Sequence, residues 1–475
     1  MFRRCRVIRL TGRIAAAVFF LGLITLSVFA ELYNRAPDVM PGTLPEMKTT
    51  EYWIARMKNP DEIILSQDAI ERMNTAYEQK VRSSDPFGGV AENRKPDLSY
   101  WWPGHVLAMP DFHTMSPAAI ADTVRNRIKI QIDYMRSKDF GNALAIKYSG
   151  RELDNFEEEM VLDTVGNEVT IRDGISVRTT QLRNIPMLFP HQYGLSENAK
   201  TRWDIWNIGI VRVCSPLTVF MPSRSGEYVL VACDEGYGWI RTGDIAFGSK
   251  RQLETFTQPK DFMVCTGDHV QFYSDAECRY AAGWFRMGDR LPAASNNRVT
   301  VPVRNSDGSL DSETAYLRNG ADVNHGWLPY TRRNVVETAF KLLDNTYDWT
   351  GAWFGRQHET TYRDIFAVFG FRLPWHGALF TIFGNNEMVI TPEMGKDGQY
   401  NNILKNEPFI TLQSCGGHAQ LFLGDLNGVP IVFDQHGYGY EESTGTYVEV
   451  RRCNIGTVAM PTYFLKRNVT FCTLK

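Results

Sequence analysis

The spacing of apolar residues changes near residue 165, from a helical period to a strand period. Between Thr50 and about Leu162, apolar side chains recur three and four positions apart, which is typical of amphipathic helices. One such helix is predicted to begin at Pro117, with Ser116 as its N-cap. After Val165, short runs of alternating apolar and polar residues are separated by Gly, Asp and Asn, which indicates short strands and tight turns. The pattern predicts a helical region followed by β-rich blocks.

The region from residue 327 onward mixes both periods and is predicted to be an α+β domain. Helices are predicted from Arg332 to about Leu343 and from about Glu359 to Val368, and a hairpin from the strands His418–Leu423 and Pro430–Phe433. The segment 425–428 is predicted to form the hairpin turn.

The first 30 residues have the character of an export segment. Five arginines precede an uncharged, mostly apolar run from Ile14 to Ala30, and Val28 and Ala30 occupy the −3 and −1 positions of a cleavage site before Glu31. The run is close to the minimum length of a membrane-spanning helix. We expect either a cleaved signal peptide or an uncleaved inner-membrane anchor, and in both cases an exported, periplasmic body.

Charge argues against nucleic acid as a partner. The chain has 51 basic and 54 acidic residues, and five of the basic residues lie in the export segment. The remaining chain therefore carries an excess of acidic residues, whereas phosphate binding requires a basic face.

Seven cysteines lie beyond the export segment, so at least one has no partner within the chain. Pairing of the nearest cysteines along the sequence would join 214 with 233, 265 with 278 and 453 with 472, and would leave Cys415 free. No CxxC or Cys/His spacing of a structural zinc site occurs. We expect no cofactor and no structural metal.

Six segments occur in an order that resembles a known family. They are YWIARMKNPDEIIL, IRDGISVRTTQLRNIP, GYGWIRTGDIA, HGWLPYTRRNVVETAFKLLDNTYDWTG, YRDIFAVFGFRLP and GGHAQLFLG. The order resembles that of bacterial NlpC/P60 proteins. The resemblance implies an α+β multidomain chain with an export segment (1–30), a helical stabilising domain (31–164), two SH3-like β-barrels (165–254 and 255–326) and a papain-like domain (327–475).

Proteins of this kind are periplasmic cysteine peptidases that cut murein peptides between γ-D-glutamate and the diamino acid. The resemblance places the Asp-Cys-Ser motif of their nucleophile at Gln357, His358 and Glu359. A helix N-terminus and a neighbouring imidazolium normally favour the reactive thiolate, and an imidazole is a poor substitute for it in amide cleavage. We therefore expect a catalytically inactive protein that binds the stem peptide of peptidoglycan or a partner cell-wall enzyme.

The resemblance also implies the other site residues. His418 matches the catalytic base, and Asp434 is the expected orienting residue, with His436 as the alternative. If Gly424 and Val429 close the hairpin, His418 faces about position 435.

Substrate-binding positions follow from the same resemblance. Tyr347 and Trp349 match a groove-lining segment in which Thr350 replaces a glycine, while Gln357 and Glu359 remain available to hold a peptide. Tyr237 is a candidate from the first SH3-like domain.

Two alternative predictions keep hydrolytic activity. In one, Cys415 acts as the nucleophile from a position three residues before His418. In the other, His358, His418 and Glu359 hold a metal ion together with Asp434 or His436, because two histidines and a carboxylate form a catalytic zinc set.

Overall fold

The computed structural model describes residues 37–95, 106–137, 139–142, 146–187, 191–193, 204–295, 297–437, 439–441 and 447–475. The export segment lies outside the described residues, so its cleavage or retention stays a prediction. Within the described ranges, no helix combines the length and the apolar character needed to cross a membrane.

The described part of the chain before the first large sheet forms four α-helices. They are α1 (Thr50–Ile54), α2 (Gln67–Val81), α3 (Pro117–Arg136) and α4 (Gly150–Glu159). The Ser116 hydroxyl accepts a hydrogen bond from the Ala119 amide at 3.2 Å, so the predicted N-cap of α3 is confirmed. Serine caps stabilise helices because they satisfy amide groups that have no partner within the helix.

The block after residue 165 contains a seven-stranded antiparallel sheet with the order β5-β3-β8-β7-β6-β2-β9. Its strands are β2 (Arg172–Ser176), β3 (Thr180–Arg183), β5 (Asn207–Val211), β6 (Pro216–Pro222), β7 (Tyr228–Cys233), β8 (Gly236–Arg241) and β9 (Ile245–Phe247). The short strands β1 (Phe140–Asn142) and β4 (His191–Tyr193) pair separately with each other.

Helix α5 (Lys250–Thr257) leads into a second seven-stranded sheet with the order β12-β11-β15-β14-β13-β10-β16. Its strands are β10 (Phe262–Cys265), β11 (His269–Tyr273), β12 (Ala281–Arg286), β13 (Arg290–Ala294), β14 (Arg298–Arg304), β15 (Leu310–Tyr316) and β16 (Val323–His325). Both β-blocks therefore lie where the sequence predicts them, while their SH3-like character and the domain boundaries stay predictions.

The last region places helices against a six-stranded antiparallel sheet with the order β17-β24-β18-β19-β20-β23. The helices are α6 (Arg332–Phe340), α7 (His358–Ala367), α8 (Phe380–Phe383) and α9 (Gly395–Ile403), and the strands are β17 (Val389–Ile390), β18 (Thr411–Ser414), β19 (Ala419–Leu426), β20 (Val429–His436), β23 (Arg452–Thr457) and β24 (Val469–Thr473). A separate pair is formed by β21 (Gly439–Glu441) and β22 (Tyr447–Glu449). The mixed architecture with several antiparallel sheets confirms the α+β fold class.

The hairpin β19–β20 is longer than predicted, and its turn is shorter. Leu426 pairs with Val429, so the turn consists of Asn427 and Gly428 alone, both at positive φ (52° and 80°). Such a two-residue turn matches the right-handed twist of the strands. A bulge between Phe422 and Gly424 shifts the register by one, which offsets half of the two-residue error in the predicted turn.

Two hydrophobic clusters join the helical region to the later sheets. In one cluster, Trp53 of α1 and Ile70 of α2 share a core with Ile365 of α7. In the other, Val124 of α3 packs in the same core as Trp239 of β8. The N-terminal helices are therefore built into the cores that support the C-terminal sheet and the first β-sheet.

The pairs that nearness along the sequence would join are not formed. All seven cysteines beyond the export segment are free thiols in the structure, and all except Cys278 are buried. Nearness along the sequence overestimated pairing because several of these thiols are small core residues, which is a common role of unpaired cysteine.

Candidate active site

Helix α7 presents His358 as its first residue, with Gln357 as its N-cap residue. The Gln357 amide donates a hydrogen bond to the Thr360 hydroxyl at 2.9 Å, and the Thr361 amide donates to the Gln357 carbonyl at 2.9 Å. These bonds fix the first turn of the helix. His358 therefore lies at a helix N-terminus, as predicted, and the residue is 6% exposed.

A buried carboxylate holds the His358 ring. Nδ1 of His358 lies 2.5 Å from Oε2 of Glu359, and Glu359 is 1% exposed. Burial by itself would raise the pKa of the Glu359 carboxyl, but the adjacent His358 ring more than offsets this and lowers it to about 2. Since Glu359 is therefore a carboxylate that can only accept, Nδ1 of His358 donates the shared hydrogen.

A second buried carboxylate holds His418, on the face shared by strands β19 and β20. Nε2 of His418 lies 3.0 Å from Oδ1 of Asp434, and the Gln420 amide donates to Oδ2 of Asp434 at 3.0 Å. Nδ1 of His436 lies 3.0 Å from the same Oδ2. Asp434 thus lies between His418, the predicted base, and His436, the alternative third residue. Gln413 donates in turn to Gln420 at 3.0 Å.

The charge of Asp434 is set by its imidazole neighbours. Burial would raise the pKa of this carboxyl, but His418 and His436 hold it well below its usual range. Burial lowers the pKa of His418 to about 4, and Asp434 offsets only part of that effect. His418 is therefore a neutral imidazole near pH 7 that donates from Nε2 to Asp434.

The two imidazoles meet where the start of α7 faces the sheet, and the buried site formed by His358, Glu359, His418 and Asp434 is called the cleft below. The ring centroids of His358 and His418 lie 4.7 Å apart, and Tyr463 and Phe464 flank His418 with centroids at 5.8 and 5.6 Å. Nδ1 of His418 is buried and has no hydrogen-bond partner among the described residues. The site thus contains two carboxylate–imidazole pairs, one on the helix and one on the sheet, with their rings in contact.

Comparison with known proteins gives a structural likeness and no sequence match. No family model and no curated protein matches the chain. Among solved structures, an NlpC/P60 endopeptidase from Photobacterium damselae subsp. piscicida aligns over 93% of this chain and 100% of its own, with 15% identity and a TM-score of 0.65. This chain has the NlpC/P60 fold. An NlpC/P60 family protein from Bacillus cereus aligns over 55% of this chain and 80% of its own, with 14% identity and a TM-score of 0.38.

Within the NlpC/P60 fold, the predicted groove residues separate into two groups. The Tyr347 ring lies 6.2 Å from the His358 ring, and Gln357 precedes His358 as the N-cap residue of α7. Trp349 is half-buried and packs against the cluster that joins α3 to the first β-sheet. Tyr347, Gln357 and Glu359 therefore remain groove candidates, while Trp349 contributes to the contact between regions.

The assignment of Tyr237 to the substrate groove is wrong. Tyr237 is 1% exposed, and its ring packs against Phe112 and Phe220 with centroids at 5.9 and 6.2 Å. The guanidinium of Arg127 on α3 lies 4.8 Å from the ring centroid. Sequence reasoning missed the burial of Tyr237 because helix α3, which covers this face of β8, lies far from Tyr237 in the sequence.

Both alternatives that keep hydrolytic activity are wrong in their stated form. Cys415 is fully buried among residues such as Phe422 and Val432, and burial raises the pKa of its thiol. A buried thiol in apolar surroundings is inert. Among the residues that the structure describes, no group of three or more His, Cys, Asp or Glu side chains could hold a metal ion. The predicted metal set of two histidines with a carboxylate is therefore not formed.

An ionic cluster behind helix α7 was not found by sequence reasoning. Asp364 is fully buried and accepts hydrogen bonds from Arg356 and Arg286 at 2.7 and 2.9 Å, and it also contacts Arg212. Arg212 follows β5 of the first sheet and Arg286 ends β12 of the second. The three guanidinium groups hold the pKa of Asp364 well below its usual range despite burial. The cluster thus ties α7, and with it His358, to both β-sheets.

His376 is a further residue of the cleft for which the sequence offers no signal. A Cβ built at Gly417, the residue before His418, would lie 3.9 Å from Nε2 of His376. Burial lowers the pKa of His376, which favours a neutral ring. The next residue, Gly377, donates its amide to Oε1 of Glu359 at 3.4 Å, so this loop covers the helix side of the cleft.

Proposed function

We propose that this chain is an exported envelope protein that binds the stem peptide of peptidoglycan without cleaving its amide bonds. The observation that carries the proposal is the position of His358, which is the first residue of α7 and lies in ring contact with His418. The family resemblance places the nucleophilic cysteine at this residue. A thiolate forms acyl intermediates from amides far more readily than an imidazole does.

The residues around His358 support binding of the stem peptide. Tyr347 offers an aromatic face beside the cleft, and two buried carboxylates, Glu359 and Asp434, make its interior acceptor-rich. The Photobacterium protein that shares the fold is described as an endopeptidase. The arginine-rich, apolar N-terminal segment supports a periplasmic location. A partner cell-wall enzyme is the second candidate ligand for the same cleft.

Cleavage is tested with purified muropeptides of the diaminopimelate type, analysed by liquid chromatography and mass spectrometry. We expect no peptide release by the wild-type protein, release by His358→Cys, and none by the matched control His358→Ala. Cleavage by wild type that is lost in His418→Ala would overturn the proposal, because the protein would then be an active peptidase.

Binding is tested by calorimetric titration of the same muropeptides into wild type and Tyr347→Ala. We expect saturable binding that weakens at least about tenfold in the variant, which corresponds to about 1.4 kcal/mol. Absence of heat and of saturation with wild type would rule out the stem peptide as ligand and would favour the partner enzyme.

A further inference from the structure

The two imidazoles of the cleft each keep one nitrogen free. His358 uses Nδ1–H to donate to Glu359, and the described residues provide no hydrogen-bond partner for its Nε2. His418 uses Nε2–H to donate to Asp434, and its buried Nδ1 has no partner among the described residues. In a neutral imidazole, the nitrogen opposite the donor carries a lone pair. In its neutral form, each ring therefore carries a lone pair on the nitrogen opposite its donor, and the two ring centroids lie 4.7 Å apart.

We propose that His358 is itself an acyl acceptor, and that the site hydrolyses thioesters and aryl esters through an acyl-His358 intermediate with His418 as the base for water. This activity goes beyond peptide binding and does not require it. The Nδ1 lone pair of His418, which has no partner among the described residues, is available to accept a proton from water.

The first step forms the intermediate. Nε2 of His358 attacks the carbonyl carbon and forms a C–N bond, while the carbonyl electron pair moves to oxygen. When that pair returns, the C–S or C–O bond breaks and the thiolate or phenolate leaves with the bonding electrons. The Nδ1 proton passes to Oε2 of Glu359, 2.5 Å away, and then to the leaving group. The partial positive charge at the N-terminus of α7 favours the transient oxyanion.

The second step releases the acid. Nδ1 of His418 takes a proton from water, and the water oxygen attacks the acyl carbon. The C–N bond breaks with its electrons returning to Nε2 of His358, and the proton held by His418 is relayed through Oε2 of Glu359 to Nδ1 of His358, which restores the starting tautomer. Both rings and both carboxylates end in their starting states, so ester and water are converted to acid and thiol or phenol without another reactant.

Leaving-group chemistry sets the substrate class. The tetrahedral intermediate expels whichever group departs more easily, and thiolates and phenolates compete with imidazole whereas an amine anion does not. Attack on an amide therefore reverts, in agreement with the proposed loss of peptidase activity. The charge states fit both steps. The pKa of Glu359 is lowered to about 2, so it is a carboxylate that can take the Nδ1 proton in the first step. The pKa of His418 is lowered to about 4, so its ring is neutral and can act as the base in the second step.

The experiment uses p-nitrophenyl acetate with wild type, His358→Gln, His418→Gln and Glu359→Gln. His325→Gln is the matched control, because His325 is an exposed histidine at the end of β16, outside the cleft. We expect steady-state hydrolysis to fall about 100-fold in His358→Gln and in His418→Gln, and to be unchanged in His325→Gln.

The intermediate is sought directly by mass spectrometry after rapid acid quench. In His418→Gln, which keeps the acceptor and lacks the base, we expect one acetyl group on the peptide that contains His358, and its removal by neutral hydroxylamine. This readout is independent of whether His358→Gln folds. Rates equal to those of His325→Gln in every variant, or an acetyl group on another residue only, would overturn the proposal and leave peptide binding untouched.

Discussion

Asp434 is the residue whose removal tests the architecture of the cleft most directly. Its carboxylate is fully buried, accepts hydrogen bonds from His418 and Gln420, and lies 3.0 Å from Nδ1 of His436. The substitution Asp434→Ala leaves the His418 and Gln420 donors without their acceptor. We expect the β19–β20 hairpin to open more easily.

The magnitude follows from the two hydrogen bonds. Each buried donor left unpaired costs about 1–3 kcal/mol. Two such donors together cost about 2–6 kcal/mol, so we expect the free energy of local opening to fall by this amount, which is at least about a 30-fold rise in the open population.

Hydrogen exchange of amides in β19 and β20, followed by mass spectrometry, measures this opening without assuming that the whole chain unfolds in one step. Asp425→Ala is the matched control, because Asp425 lies in the same hairpin but is exposed. The pKa of Asp434 is held below its unfolded value of about 3.9, so its stabilisation is present above that pH and is lost as pH falls further. We therefore expect the difference in opening free energy between wild type and Asp434→Ala to persist from about pH 5 to pH 8. An effect below about 1 kcal/mol, or one no larger than that of the control, would refute the reasoning.

Three further predictions follow from the same contacts. Tyr237→Phe should leave muropeptide affinity within about twofold of wild type, unlike Tyr347→Ala, because the Tyr237 ring is buried away from the cleft; an equal loss in both would contradict its placement. Because the pKa of His418 is about 4 when folded and about 6.5 when unfolded, the unfolded chain binds this proton first as pH falls. Stability should therefore drop by up to about 3 kcal/mol between pH 6.5 and 4, measured by thermal unfolding, and His418→Gln should remove that part of the slope. Thr350 has a φ of 59°, which strains a β-branched residue. Thr350→Gly should raise the melting temperature, since relief of about 1–3 kcal/mol of strain exceeds the entropic cost of glycine; a lower melting temperature would show that the hydroxyl contributes more than the strain costs.

Local sequence signals placed the elements that carry the site. The side-chain period predicted the helix from about Glu359, the strand from about His418 and the short strands of the two β-blocks, because it depends on neighbours in sequence. The strained Thr350 also occupies a position at which the family resemblance indicates glycine. These features require no knowledge of distant contacts.

Sequence reasoning could not decide whether Asp434 or His436 faces His418. The register of the hairpin depends on a bulge between Phe422 and Gly424, and a shift of one residue decides which side chains share a face. Counting from the turn left the choice between the two open. In the folded chain Asp434 contacts His418, and His436 contacts Asp434.

The sequence by itself determined the α+β class, the order of helices and sheets, and the histidine at the start of α7, because propensity, period and capping act over a few residues. Only the tertiary structure decided that Tyr237 is covered by α3, that the cysteines are unpaired core residues, that Asp364 joins α7 to both sheets, and that two carboxylate–imidazole pairs meet in one cleft. Each of these depends on burial and on contacts between residues far apart in the chain. Such contacts form only when the sheets and helices pack together, and no local pattern encodes them.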